Sequence, residues 1–157
     1  LALLLKEKYP KLKFCFTWVG EGSLLNDCRI RIRDLRAESY IQFIGRNDFV
    51  SKYYEKCDIY IQLSSIESLS LSVLDAMRHG KPCIVTNIGG LPEVISHDRN
   101  GWVIDIGNLG EIARLIVLLA NNDILREKMG RCAMKDYMNR FSRKQWKEQL
   151  LKYHNLK

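Results

Sequence analysis

Residues 64–93, SSIESLSLSVLDAMRHGKPCIVTNIGGLPE, predict a helix, a buried strand and a glycine turn in direct succession. Apolar residues recur at helical spacing over residues 70–79, and Gly80 and Pro82 then end the helix. Residues 83–86 are short and apolar, as expected for a buried strand. Because residues 58–63 form another apolar, β-rich run, the order is strand, helix, strand, which is typical of a parallel βαβ unit.

The same alternation extends in both directions. Further strands are predicted at residues 12–19, 41–44 and 101–106, and further helices at residues 24–35 and 49–57. From residue 110 onward the pattern is helical, with Asp123 and Ser142 as expected N-caps of the last two helices. The sequence therefore predicts an α/β fold with a doubly wound parallel sheet of Rossmann type, followed by a helical C-terminal tail.

Two acids flank the start of the helix predicted at residues 70–79. Glu67 lies in the preceding loop and Asp75 in the second turn, while Ser68 and Ser70 offer hydroxyls near the N-terminus. A helix that begins after a parallel strand directs N–H groups and a partial positive charge at the ligand-binding edge of the sheet. Carboxylates there suit a sugar or ribose diol, although the residues alone also allow two solvated surface acids.

The order of these residues resembles the C-terminal, donor-binding domain of GT-B retaining glycosyltransferases, the family called glycosyl transferases group 1 (family 4-like). That family carries E-G-F-G-L-x-x-x-E-A-M, then G-K-P-V-I-A-T, G-G-x-P-E and N-G. The corresponding residues here, in the same order, are Glu67, Asp75-Ala76-Met77, Gly80-Lys81-Pro82, Thr86, Gly89-Gly90-Leu91-Pro92-Glu93 and Asn100-Gly101. The resemblance extends over nearly the whole chain and implies one half of a GT-B fold.

The resemblance implies a role for each matching position. Glu67, the candidate catalytic residue, would contact the donor sugar, and Asp75 would contact the ribose hydroxyls. Gly45 and Arg46 would hold the base. Further donor-binding candidates are Gly20 and Gly22 in the first glycine turn. Those around the helix start are Ser64, Ser68, Leu69, Ser70 and Leu71. The later turn near the donor adds Gly89 and Gly90.

The chain departs from the family pattern at two places in this segment. Asp75 is one methylene shorter than the usual Glu, so a direct ribose contact needs a closer helix or a bridging water. Ser68-Leu69-Ser70 replaces Gly-Phe-Gly, which removes two conformationally permissive positions. We expect serine to be tolerated there.

The 157 residues suffice for one domain with a buried core. The family's first strand, its Arg-Lys clamp on the donor diphosphate and its N-terminal acceptor-binding domain have no counterpart in this sequence. We therefore expect residues 1–157 to be the donor-binding part of a longer enzyme, and to be inactive in isolation.

The chain carries a net charge of +7, concentrated toward its C-terminus. A basic helical face there predicts either a solvated surface or attachment to an anionic membrane, which would suit a lipid-linked acceptor. The charge alone gives no reason to expect nucleic acid as a partner. The basic residues are Arg126, Lys128, Arg131, Lys135, Arg140, Arg143, Lys144, Lys147, Lys152 and Lys157, offset by Glu127, Asp136 and Glu148.

Five dispersed cysteines without C-x-x-C spacing predict neither a disulfide framework nor a metal site. Cys15 and Cys83 fall in apolar strands and are expected in the core. We expect a reducing cytoplasmic location, with peripheral attachment to the inner face of the membrane as the alternative. The resemblance implies a metal-independent enzyme without a cofactor, since the nucleotide sugar is a substrate.

The leading functional hypothesis is transfer of a sugar from a UDP- or GDP-sugar to a saccharide or lipid-linked acceptor, in polysaccharide or glycoconjugate synthesis. Two alternatives stay open, a nucleotide-sugar epimerase of the same fold and a non-catalytic nucleotide-sugar or partner-binding module. A dinucleotide-dependent dehydrogenase is disfavoured because Gly20-Glu21-Gly22 continues as Ser-Leu-Leu rather than G-x-x-G. The mechanism of retention is not determined by the sequence.

Overall fold

The computed structural model describes residues 1–155, which form two compact units, Leu1–Tyr53 and a second one from Tyr54 onward. Leu156 and Lys157, which the sequence places in the last helix and in the basic tail, lie outside the described residues. Each unit is built on parallel strands, as predicted.

The first unit pairs strand β1 (Phe16–Val19) with strand β2 (Ile41–Gly45) in parallel. Helix α1 (Ala2–Lys8) precedes β1, and α2 (Leu25–Asp34) connects β1 to β2. Helix α3 (Ser51–Lys56) follows β2 and extends past Tyr53, where the first unit ends. Strand β1 is shorter than predicted.

The prediction that Cys15 lies in the core is wrong, because this residue is exposed. Successive side chains of extended backbone point in opposite directions. Phe14 and Phe16 form an edge-to-face contact with ring centroids 5.5 Å apart, so the intervening Cys15 is left on the opposite side.

The second unit contains a parallel sheet in the order β3-β4-β5, formed by Tyr60–Gln62, Cys83–Thr86 and Gly101–Ile104. All four residues of the central strand β4 are buried, as expected for a strand covered on both faces. The crossovers contain α4 (Leu71–Arg78) and α5 (Leu91–Val94).

Helices account for the rest of the second unit. They are α6 (Leu109–Ala120), α7 (Asp123–Asp136), a π-helical turn (Tyr137–Phe141) and α8 (Arg143–Asn155). Ser142 caps the last helix through the N–H of Gln145, as predicted. For α7 the prediction is wrong by one residue, because the Asn122 side chain accepts the N–H of Leu125 and Asp123 is already helical.

Asp136 is a buried structural group, whereas its charge pattern placed it on the surface of the basic tail. Its carboxylate accepts hydrogen bonds from Arg99 and, at 2.7 Å, from the buried Asn100. The Asn100 oxygen in turn accepts the N–H of Ser96 at 2.8 Å. This network joins the end of α7 to the loop before β5, and it explains structurally why an asparagine precedes Gly101.

Helices α4 and α7 meet at two glycines. Gly80 ends α4 with φ of 67°. A Cβ atom at Gly130 in α7 would lie 2.1 Å from the carbonyl oxygen of Gly80. Gly110 in α6 has no atom within 4 Å of its Cβ position, so it is a helical glycine without this constraint.

We expect Gly130→Ala to destabilise the protein by about 1–3 kcal/mol, because the overlap outweighs a gain in helix propensity of roughly 1 kcal/mol. Gly110→Ala, the matched control, should leave the midpoint of thermal unfolding unchanged or raise it. Equal midpoints for both variants would show that α4 and α7 do not approach as closely as described.

Candidate functional site

The predicted site residues fall into two groups, one in each unit. In the first unit the N–H of Gly20 donates to the carbonyl oxygen of Gly45 at 2.9 Å, so the glycine turn after β1 and the end of β2 adjoin. Arg46 lies 3.7 Å from Glu21 in an ion pair between exposed side chains. Such a pair contributes little to stability, which leaves Arg46 adaptable to a ligand.

In the second unit, Ser70 caps helix α4. Its Oγ accepts the N–H of Val73 at 3.3 Å, and the residue is buried. The flanking Leu69 and Leu71 are exposed. The first N–H groups of a helix lack intrahelical partners, so the beginning of α4 is suited to an anion, as the sequence predicts.

The Glu67 carboxylate is half-buried and held at both oxygens just before this helix start. Oε1 accepts the N–H of Ser68 at 3.1 Å. Oε2 accepts a hydrogen bond from the side-chain amide of Gln62. Both donors are N–H groups, and each oxygen retains lone-pair capacity for a further donor such as a sugar hydroxyl.

Gln62, the last residue of β3, is the functional candidate that the sequence analysis missed. Its Oε1 accepts hydrogen bonds of 2.8 Å from the hydroxyls of Tyr60 and Ser70. Its Nε2 donates to Ser64 Oγ at 3.2 Å as well as to Glu67. The sequence signal that could have identified Gln62 was a single amide side chain in an otherwise apolar strand.

Burial raises the pKa of Tyr60 above its ordinary value. The phenol therefore keeps its proton across the physiological pH range, and it remains a donor to Gln62. The amide of Gln62 thus has a partner for each of its polar atoms.

The Gly89-Gly90 turn packs directly on the backbone of the loop that carries Glu67. Gly89 has φ of 53°, and a Cβ there would lie 1.9 Å from the Glu67 carbonyl oxygen. The N–H of Gly90 donates to the Ser68 carbonyl oxygen at 2.6 Å. These glycines therefore admit close approach of the protein's own backbone.

The beginning of the same loop is fixed from strand β4. Thr86 Oγ1 donates to the carbonyl oxygen of Ser64 at 2.7 Å. The loop from Ser64 to Ser70 is thus held by β3 through Gln62, by β4 through Thr86 and by the glycine turn.

Asp75 lies on the second turn of α4, as predicted, and lines a cleft of about 600 Å³ formed with the π-helical turn and α8. Its cleft neighbours include Leu74, Tyr137, Phe141, Arg143 and Trp146. Glu67 does not line this cleft. Leu69 and Leu71, two of the predicted donor-binding residues, also line the cleft.

Several residues of the basic tail are engaged within the second unit. Arg126 forms a 2.8 Å ion pair with Asp123 and donates to the carbonyl oxygen of Leu119. Arg140 stacks on the Phe141 ring and donates to the carbonyl oxygen of Glu93 at 2.6 Å. The exposed charge on α8 comes instead from Arg143, Lys144, Lys147 and Lys152.

Among residues 1–155, no group of three or more His, Cys, Asp or Glu side chains is arranged to hold a metal ion. Over the same residues, no helix has the length and apolarity required to cross a membrane.

Comparison with known proteins identifies the family. Residues 1–136 match Glycosyl transferases group 1, and the chain belongs to this family. N-acetyl-alpha-D-glucosaminyl L-malate synthase from Bacillus anthracis is 32% identical over 123 residues, which are 78% of this chain and 32% of that protein. The chain spans about a third of the length of such curated relatives.

Two solved structures illustrate the similarity of fold. A variant of S. aureus TarM, crystallised with Fondaparinux, alpha-GlcNAc-glycerol and UDP, has a TM-score of 0.84 at 25% identity, covering 96% of this chain and 30% of TarM. Anabaena HepE in complex with UDP has a TM-score of 0.86 at 19% identity, covering 99% of this chain and 45% of HepE, and supports the fold alone. The predicted Rossmann-like half of a GT-B fold is confirmed. Membership of a glycosyltransferase family agrees with the predicted class of enzyme.

We expect Gly89→Ala to displace the loop carrying Glu67, because the new methyl group would overlap its carbonyl oxygen. The variant should lower the unfolding midpoint, measured by scanning calorimetry, by more than the control variant does. Gly107→Ala is the matched control, since Gly107 has φ of 86° but no atom within 4 Å of its Cβ position. It should incur only backbone strain of about 1–3 kcal/mol. An unfolding midpoint of Gly89→Ala equal to that of Gly107→Ala would contradict this packing.

Proposed function

We propose that this chain is the donor-binding half of a retaining glycosyltransferase that uses a nucleotide-diphosphate sugar. The observation that carries the proposal is the Glu67 carboxylate, held at both oxygens beside the Ser70-capped start of α4. The carboxylate that would accept the sugar hydroxyls therefore lies beside the helix end that would bind the diphosphate. A nucleotide sugar carries its hydroxyls and its diphosphate on the same sugar ring.

The start of α4 would hold the donor diphosphate. Its N–H groups and the positive end of the helix dipole favour an anion, and most strongly the charge that develops as the leaving group departs. The anomeric carbon gains oxocarbenium character in this step. Positive potential near the diphosphate stabilises the negative charge that develops on the leaving group.

Glu67 would orient the donor sugar through its hydroxyls. Its two N–H hydrogen bonds support this role over that of a nucleophile, because they withdraw electron density from both carboxylate oxygens. Retention of configuration would then depend on assistance by the leaving phosphate to the incoming hydroxyl. This assignment follows the family resemblance. The anomeric configuration of the product tests retention itself, which a double displacement at Glu67 would also give.

Asp75 would bind the ribose of the nucleotide. The aspartate is half-buried, and the structure gives its carboxylate no ion pair within residues 1–155, so the carboxylate is available to a diol. Tyr137 and Phe141 line the same cleft. By the family resemblance, Gly45 and Arg46 would hold the base, and the turn at Gly20 and Gly22 would line the donor site.

A uridine nucleotide is the first donor to test. TarM was crystallised with UDP, and a relative from Escherichia coli is named UDP-Gal:alpha-D-GlcNAc-diphosphoundecaprenol alpha-1,3-galactosyltransferase. The latter name also includes a lipid-linked acceptor, which supports a saccharide or lipid-linked acceptor for this chain. The exposed cations of α8 would favour an anionic membrane surface on the cytoplasmic side.

We expect Glu67→Ala to weaken binding of a UDP-sugar about tenfold or more while leaving the affinity for UDP within about twofold, because only the sugar contact is lost. The measurement is titration calorimetry with UDP, UDP-glucose, UDP-galactose and UDP-N-acetylglucosamine, and with GDP and GDP-mannose, on the full-length protein. Equal losses for UDP and the UDP-sugar would refute the role of Glu67.

Asp75→Ala should give the complementary result, because the ribose is common to the nucleotide and its sugar conjugate. Affinities for UDP and the UDP-sugar are expected to fall by similar factors. Asp105→Ala is a suitable control, since this carboxylate accepts a hydrogen bond from Asn87 at 3.3 Å and is exposed. A sugar-specific loss in Asp75→Ala would place this residue at the sugar instead.

We also propose that transfer requires no metal ion. Dialysis against EDTA should leave the initial rate of the full-length enzyme unchanged, with the product keeping the anomeric configuration of the donor by NMR. Loss of activity restored by Mg²⁺ or Mn²⁺ would reject this part of the proposal.

A further inference from the structure

The side-chain amide of Gln62 connects three parts of the second unit. It is anchored at the end of β3, contacts the loop at Ser64 and Glu67, and reaches the N-cap of α4 at Ser70. None of the roles proposed above involves this residue. Its contacts nevertheless include both the sugar-binding carboxylate and the residue that begins the diphosphate-binding helix.

The orientation of this amide is determined by its partners. Glu67, when ionised, can only accept hydrogen bonds, so Nε2 must face it. The hydroxyls of Tyr60 and Ser70 lie on the other side and donate to Oε1. In the reversed orientation two acceptors, Oε1 and the carboxylate, would face each other without a proton between them.

We propose that Gln62 is the positioning residue of Glu67, a role that rests on the proposed function. Its amide fixes Oε2 while the Ser68 N–H fixes Oε1, so the carboxylate is held in one orientation before the donor arrives. Preorganisation of this kind reduces the ordering cost of binding, and the gain applies only to ligands that carry the sugar. Gln62 therefore sets the preference for nucleotide sugar over free nucleotide.

The same contacts give a reason for the unusual Ser68-Leu69-Ser70 segment. Ser70 stands where the family pattern has glycine, and its hydroxyl both caps α4 and donates to Gln62. Glycine at this position would cap the helix nearly as well, but it has no hydroxyl to donate to the amide. The glutamine and the serine thus act as a pair that couples the sugar carboxylate to the helix start.

The decisive variant is Gln62→Met, which keeps a similar unbranched shape and removes all four hydrogen bonds. Calorimetry with UDP and with the UDP-sugars should show a loss of about tenfold for the sugar conjugate that the wild type binds, and at most about twofold for UDP. In the full-length enzyme, kcat should fall while the KM for acceptor is unchanged. Gln62→Glu should weaken binding of the sugar conjugate further, because it places a second carboxylate against Glu67.

Two further variants separate positioning from folding. Gln42→Met makes the same change at an exposed position of the parallel strand β2 and should alter neither ligand's affinity. Tyr60→Phe keeps the ring and removes one donor to Oε1, so it should cause a smaller loss in the same sugar-specific direction. If Gln62→Met fails to fold, Tyr60→Phe still tests the proposal.

The outcomes distinguish this inference from the proposed function. Absence of nucleotide binding by the wild type would overturn both. Sugar-specific loss in Glu67→Ala with wild-type behaviour of Gln62→Met would overturn the inference alone. Equal losses of UDP and UDP-sugar in Gln62→Met, with a lowered unfolding midpoint, would show that Gln62 is structural and would also overturn it.

Discussion

The arrangement of the second unit depends on the burial and parallel pairing of strand β4. All four of its residues are buried, and it pairs in parallel with both β3 and β5. Parallel register brings the carboxyl ends of β3 and β4 to the same edge, so the loops that follow them must meet. The two loops pack backbone against backbone at Gly89 and Gly90, where a side chain has no room. The position of Glu67 is thus a consequence of strand pairing.

Local sequence was sufficient for those features that local physics determines. Helix α4, the serine hydroxyls near its start, its end at Gly80 and the exact bounds of β4 followed from periodicity, capping chemistry and β-branched residues. The burial of Asp136 was missed because it depends on long-range contacts. Asp136 is buried by Arg99 and Asn100, 37 and 36 residues away, and no pattern within α7 indicates this.

Gln62 illustrates a different limit of sequence reasoning. The residue lies only five positions from Glu67, yet its importance comes from which side of β3 it faces and from where α4 begins. The family motif identified the Glu67 carboxylate but not the Gln62 amide that holds it. The departures from the family pattern were visible as substitutions in the sequence, whereas their compensation required coordinates: Ser70 replaces a permissive glycine and gains two hydrogen bonds.

The π-helical turn Tyr137–Phe141 has an evolutionary consequence. A π-turn is equivalent to one residue inserted into an α-helix, at the cost of poorer hydrogen-bond geometry. Deleting one residue here would restore regular helix, but would rotate the preceding or following side chains by about 100°. Tyr137, Arg140 and Phe141 could not then all line the Asp75 cleft. Selection on this segment should therefore act on its length as strongly as on its composition, so that single-residue deletions are rarer than substitutions.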